Sequence, residues 1–198
     1  RNLPAALTGS VGNAESGSHW SLVSGPGDAV FTDASLPATT VAFSASGTYL
    51  LRLSATNSHG ESSRTLEVDV APNPGIFSDW QAIHWPGVND PEVTAADRDP
   101  DADGLQNLME WALLLDPVKP DPTPVAFAWE AGGLEFTYTR RKAAPDEAEF
   151  TVEWSDTLAA PWTPAASDPP VSLDATRESV HTAIPAGPNG RRFVRVTI

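Results

Sequence analysis

The sequence predicts a mainly β protein, with two β-sandwiches joined by a short helical connector. Three observations predict it. Nineteen prolines and fourteen glycines punctuate a chain of 198 residues, which cuts it into short elements separated by turns. Apolar and polar residues alternate, with the period of a half-buried strand, on both sides of the chain's middle. Only in the stretch between, over residues 76–117, does the apolar period become helical.

The first region, residues 1–72, carries short apolar runs at Leu22-Val23, Ala29-Val30-Phe31 and Thr40-Val41-Ala42-Phe43. Ser24-Gly25-Pro26-Gly27-Asp28 and Ser46-Gly47 separate them with turn chemistry. Thr48–Thr56 is the strongest strand signal, with Tyr49, Leu51 and Leu53 on one face and Leu50, Arg52 and Ser54 on the other. After the turn Asn57–Gly60, residues 63–70 alternate again with Leu66, Val68 and Val70 inward.

In the second region, Pro72-Asn73-Pro74-Gly75 is a linker, and Phe77, Trp80, Ile83 and His84 then fall at helical spacing. Leu105, Leu108, Met109, Ala112 and Leu113 form an apolar stripe at i, i+3, i+4, i+7 and i+8, closed by Asp116-Pro117. A proline-spaced linker follows to about Pro124. The third region, residues 124–198, reads as strands once more. Val125–Trp129 and Leu134–Tyr138 flank a hairpin turn. Glu149–Trp154, Glu178–Ile184 and Arg192–Ile198 follow, the last two joined by Pro188-Asn189-Gly190.

The sharpest chemical signal is the run Asp99-Pro-Asp-Ala-Asp-Gly-Leu-Gln-Asn-Leu-Met-Glu110. A twelve-residue calcium loop needs oxygen ligands at positions 1, 3, 5, 7, 9 and 12 and a glycine at 6. Asp99, Asp101 and Asp103 fill the first three, Gly104 takes the sharp turn and Leu105 offers its carbonyl. Asn107 stands at position 9, directly or through water, and Glu110 closes the loop from inside a helix. Asp97 is a candidate extra ligand or, equally, a solvent-facing residue. Carboxylates crowded this closely repel one another unless a cation neutralises them. Ca²⁺ accepts six to eight oxygens at about 2.3–2.6 Å, and no Cys or His stands nearby to favour zinc. One methionine in the whole chain argues against a calcium sensor, which opens a Met-rich groove. The expected role of the ion is structural.

Charge and composition exclude several functions. A net charge of −14 is wrong for nucleic acid, whose phosphates call for Lys and Arg, and for anionic membrane surfaces. No apolar run approaches the length of a membrane span, so no membrane insertion is expected. No nucleophile elbow, zinc-protease helix, phosphate loop or dinucleotide fingerprint occurs. His19, His59, His84 and His181 are scattered, and no carboxylate pair stands out, so the chain is expected not to be an enzyme. Seven tryptophans raise sugar stacking as a second reading. Trp20, Trp129 and Trp154 lie in strand patterns and Trp80 on a helix face, which leaves Trp85, Trp111 and Trp162 as weak ligand-binding candidates.

Two resemblances sharpen these expectations. His19–Gly27 and Thr40–Leu53 together resemble a PKD-type, immunoglobulin-like module of bacterial surface proteins. The resemblance implies a core role for Trp20 and a corner-anchoring role for Tyr49, with the module's usual first strand missing or upstream of Arg1. Trp80–Trp85, the acidic run through Leu113, and Leu115-Asp116-Pro117 are similar to a tail segment of large secreted bacterial proteins, and to thrombospondin type 3 and dockerin calcium loops. In that tail family a small β-domain follows, as residues 124–198 do here. Dockerins carry two loops and this chain has one, which disfavours cohesin docking. The resemblances imply a non-catalytic, calcium-stabilised accessory or spacer region at the C-terminus of a larger secreted or surface protein. Its expected location is extracellular or on the bacterial surface, and its partners are upstream domains of the parent chain. The alternative is a carbohydrate-binding module of a polysaccharide-degrading enzyme. The start Arg1-Asn2-Leu3-Pro4 reads as a cut within a longer chain.

Overall fold

The computed structural model describes residues 4–12, 17–122, 124–130, 132–187 and 191–198. It is mainly β, built of antiparallel sheets. The chain divides into two compact units with the boundary between Ile83 and His84.

The first unit holds β1 (Ala5–Thr8), β2 (Ser18–Ser24), β3 (Ala29–Phe31), β4 (Ala38–Phe43), β5 (Gly47–Asn57) and β6 (Gly60–Val70). They form two three-stranded sheets, ordered β1-β4-β3 and β2-β5-β6. Leu7, Trp20, Val41, Phe43, Tyr49 and Leu51, drawn from both sheets, make one buried core. The alternation in β5 and β6 holds, with Tyr49 and Leu51 fully buried, although Leu66 stays 41% exposed on the sheet's open edge.

One expectation is corrected. An opening strand is present at Ala5–Thr8, paired along its length with β4. Four residues with one large apolar side chain, Leu7, are too short to show a period, and only the pairing reveals the strand.

Trp20 is 5% exposed, stacks on Phe31 with ring centroids 6.3 Å apart, and donates its indole N–H to Pro37 O. Tyr49 closes a corner on itself: its hydroxyl donates to Ala45 O at 3.0 Å and accepts from Ala45 N–H at 3.2 Å. Gly25 lies flat against the Tyr49 ring, where any Cβ would collide with it. Beyond β6 the chain enters α1 (Phe77–His84). Asp79, buried near its start, accepts from Ser46 Oγ and from Asn73 N–H, both at 2.7 Å. Those two bonds fasten the helix to the first unit.

The second unit begins with α2 (Pro91–Thr94), whose N-cap Asp90 accepts from Glu92 N–H, and α3 (Asn107–Leu113). Then come β7 (Val125–Glu130), β8 (Gly133–Arg141), α4 (Ala144–Glu147), β9 (Thr151–Ser155), β10 (Thr163–Ala165), β11 (Val171–Ser172), β12 (Arg177–Pro185) and β13 (Phe193–Thr197). A four-stranded sheet, β11-β12-β8-β7, and a three-stranded one, β10-β9-β13, share a core. Leu134, Phe136 and Tyr138 of β8, Val180 and Ile184 of β12, and Val152 of β9 fill it together with Leu113 of α3. The expected turn at Pro188-Asn189-Gly190 lies outside the described residues, as does Ala131 of the β7–β8 hairpin.

For two tryptophans the local pattern does not fix burial. Trp129 sits in a strand pattern but is 62% exposed, because β7 is an edge strand that overhangs the core. Trp111 is off the apolar stripe of α3 yet fully buried. Its backbone carbonyl accepts from Arg141 Nε at 2.8 Å, and the Arg141 guanidinium lies 5.8 Å from its ring centroid. A stripe argument assumes one buried face, whereas this short helix is buried on more than one.

On the outer face of the larger sheet, both ring nitrogens of His181 meet carboxylates. Nδ1 is 2.7 Å from Asp168 Oδ2 and Nε2 is 2.6 Å from Glu135 Oε2. Ionised carboxylates only accept, so the ring serves both only with a proton on each nitrogen. These bonds, that from Asp168 foremost, raise the His181 pKa above its ordinary value. A raised pKa stabilises the folded state fully below the unfolded value of about 6.5 and loses that contribution as pH rises through the folded value. Stability of the second unit, measured by denaturant unfolding across neutral pH, is therefore expected to fall on the alkaline side. His181→Gln should flatten that slope.

Candidate metal centre

The acidic run forms a tight loop between α2 and α3, and each aspartate is turned by a backbone bond of the loop itself. Asp99 Oδ2 accepts from Gly104 N–H at 3.0 Å, Asp101 Oδ1 from Asp103 N–H at 3.2 Å, and Asp103 Oδ1 from Leu105 N–H at 2.8 Å. One carboxylate oxygen from each of Asp99, Asp101 and Asp103 lies within 4.8 Å of the other two. Left-handed backbone makes the turn. Gly104 has φ +95°, where glycine is at ease. Ala102 has φ +60°, a conformation that costs an L-residue about 1–2 kcal/mol.

The ends of the loop are stitched together. Asn107 N–H donates to Arg98 O at 2.7 Å and Leu108 N–H to Ala96 O at 3.0 Å. The Asn107 amide nitrogen donates to Val93 O and Ala95 O at 2.9 and 2.7 Å, which turns its Oδ1 away from both carbonyls. Asp103 Oδ2 also accepts from Asp121 N–H at 3.2 Å, while Asp121 Oδ2 accepts from Asp116 N–H at 3.2 Å. The segment after α3 is thus tied back to the loop. Sequence reading placed Asp121 in a linker, because no local period connects it to a residue eighteen positions earlier.

Glu110 is the critical group. It has no exposed surface, and among the described residues neither carboxylate oxygen has a hydrogen-bond partner. Asp101 Oδ2 and Asn107 Oδ1 are buried and unpartnered in the same way. Burial pushes the Glu110 pKa up to about 8, and the charges of Asp101, Asp103, Asp99 and Asp116 add to it in that order. Burial also raises Asp101, with Asp103 and Asp99 as charged neighbours. Buried polar atoms are paired in the great majority of native structures, and a buried unpaired carboxylate costs several kcal/mol. Four orphaned oxygens around one acidic loop fit a hard cation. The donors are all oxygen, which suits Ca²⁺ or Mg²⁺ and not a thiolate- or imidazole-seeking metal.

The remaining sequence candidates separate. Leu105 occupies the turn where a backbone carbonyl ligand is needed. Asp97 and Glu110 both lie outside the cluster of three gathered aspartates; the Asp97 side chain is 68% exposed and sits 3.9 Å from Arg98 Nε. Trp85 is 8% exposed and Trp111 has no exposed surface. The Arg195 guanidinium, held by Glu153, covers the Trp162 ring at 4.2 Å from its centroid. Trp85 and Trp111 are buried, and Trp162 is half-buried with one ring face covered.

A PKD-like sandwich followed by a β-unit with an oxygen-lined loop is the class of architecture these features define. Residues 1–70 match the family model of the PKD domain, in agreement with the immunoglobulin-like sandwich of the first unit. PKD domains are in general non-catalytic modules. Curated proteins give no match to the chain.

Two substitutions test the loop. With a pKa raised to about 8, Glu110 must take up a proton to be buried at neutral pH without a metal; Glu110→Gln spares that cost, so the metal-free protein should melt higher than wild type while calcium no longer raises its melting temperature. Ala102→Gly relieves the left-handed strain at the cost of a more flexible unfolded chain. Its net effect in denaturant titrations should be a stabilisation of up to about 1 kcal/mol, with the calcium response retained.

Proposed function

We propose that this chain is a non-catalytic, calcium-stabilised accessory and spacer region of a larger secreted or surface bacterial protein. Asp99, Asp101, Asp103, Glu110, the Leu105 carbonyl and Asn107 hold one structural Ca²⁺ in this reading, and the second unit is a β-sandwich that the ion helps to close. The observation that carries it is Glu110: a fully buried carboxylate with no hydrogen-bond partner among the described residues, under the charge of three aspartates that gather together. The neighbouring residues Trp111, Ala112 and Leu113 are all buried, and Leu113 belongs to the core of the second unit. An ion that neutralises Glu110 therefore stabilises the packing of the strands that follow. The PKD-like first unit supports the accessory role, since such modules space and present other domains. The sugar-binding alternative draws less support, because Trp85 and Trp111 are buried.

Calcium titration followed by calorimetry, with tryptophan-sensitised terbium luminescence as a second probe, tests the site. Binding of one ion per chain is expected, and a chelator should lower the unfolding transition. At a hundredfold excess of calcium over Kd the stabilisation should be about 2.7 kcal/mol. A chain that binds no ion, and whose melting curve ignores the chelator, refutes the reading.

A further inference from the structure

Residues 114–122, between α3 and β7, belong to no helix or strand, yet both ends of the segment are fastened beside the acidic loop. At the near end Leu114 takes the left-handed conformation, with φ +63°, and Leu115 N–H donates to Glu110 O at 2.8 Å. Leu115 packs against the core of the second unit and Pro117 is fully buried. Val118, Lys119 and Pro120 then loop out into solvent. Two bonds to Asp116 shape the turn, from Val118 N–H to its Oδ1 and from Lys119 N–H to its carbonyl, both at 3.2 Å. The chain comes back at Asp121, whose carboxylate accepts from Asp116 N–H and whose own N–H donates to Asp103 Oδ2, again at 3.2 Å each. Pro117, Pro120 and Pro122 fix φ along the way, so the excursion has less conformational freedom to give up on closing.

Asp103 is thereby held from two sides. Its Oδ1 accepts from Leu105 N–H within the loop, and its Oδ2 from Asp121 N–H beyond α3. An ionised carboxylate offers about four lone-pair sites, so two N–H bonds leave it able to meet a cation while they fix the direction in which it points. Hydrogen bonds of this kind to a metal-binding carboxylate tune the affinity of the site. The Asp121 carboxylate does not join the gathered oxygens of Asp99, Asp101 and Asp103. It is taken by Asp116 N–H, with Lys119 Nζ 4.0 Å from its other oxygen. Its position suits it to keep the excursion shut and the Asp121 N–H in place, not to serve as a ligand itself.

We infer that Asp121 is a positioning residue of the metal site, acting through Asp103, and that closure of residues 114–122 and calcium binding favour one another. The inference rests on the calcium reading above and adds to it a residue outside the twelve-residue loop. Such a coupling is reciprocal. If the closed segment raises calcium affinity by some factor, calcium shifts the segment toward its closed form by the same factor. The ion then governs the order of the proline-spaced connection that leads into β7, as well as the packing of α3.

Two substitutions at one position separate geometry from charge, with calcium titrated into the full chain by calorimetry. Asp121→Ala removes the acceptor for Asp116 N–H, frees the excursion and should raise the calcium Kd about threefold to tenfold, the worth of one hydrogen bond. Asp121→Asn keeps an acceptor in that place and drops the charge, so it should bind calcium as the wild type does. In the wild type, hydrogen exchange at the Asp121 amide, followed by NMR, should slow on calcium binding by the factor that Asp121→Ala costs in affinity. A purely structural role predicts something else: Asp121→Ala would lower the melting temperature equally with and without calcium and leave Kd unchanged. Wild-type affinity in Asp121→Ala, an Asp121→Asn as weak as Asp121→Ala, or an Asp121 amide indifferent to calcium each overturns the inference and leaves the calcium reading standing. A wild type that binds no calcium removes both.

Discussion

A carboxylate with no partner, sealed from water, is the constraint around which the second unit is arranged. Glu110 lies on α3 with no exposed surface, and the nearest charges acting on it are all negative. Among the described residues no group donates a hydrogen to it. Such a group either takes up a proton or meets a cation. Desolvation, which makes an isolated charge costly, also makes an enclosed cation–carboxylate contact strong.

The consequences run outward along the chain. α3 has seven residues, too few to be stable alone in water, so it exists because both its ends are fastened. At one end Asn107 is anchored to the α2 segment. At the other, Leu113 enters the core and the Trp111 carbonyl receives Arg141. The tie from Asp121 to Asp103 draws in the segment before β7. The loop belongs to the second unit as much as its strands do.

The two units reach stability by different means. The first uses an aromatic core and a tyrosine corner, with Asp79 fastening α1. The second adds guanidinium groups laid on rings. Arg140 lies over Phe150, Arg192 over Trp154 and Arg195 over Trp162, at 4.7, 3.6 and 4.2 Å from the ring centroids. Each of these arginines also meets a carboxylate. Flat guanidinium groups can stack and pair at once, which suits a small sheet whose aromatic rings would otherwise face water.

By itself the sequence determined what local chemistry can encode. Strand alternation from Thr48 to Val70, the hairpin from Val125 to Tyr138, the helix from Phe77 and the spacing of acidic residues from Asp99 to Glu110 were all legible. Each is a short-range periodicity, or a set of residue types at fixed intervals. Tertiary structure decided which surfaces are covered. Trp111 is hidden and Trp129 is open, the reverse of what their local patterns imply, because burial depends on what the rest of the chain lays over a face. Only the folded chain could show Ala5–Thr8 as a strand, Asp121 beside the acidic loop and Glu110 without a partner. Those facts join residues far apart in sequence, and no local pattern carries them.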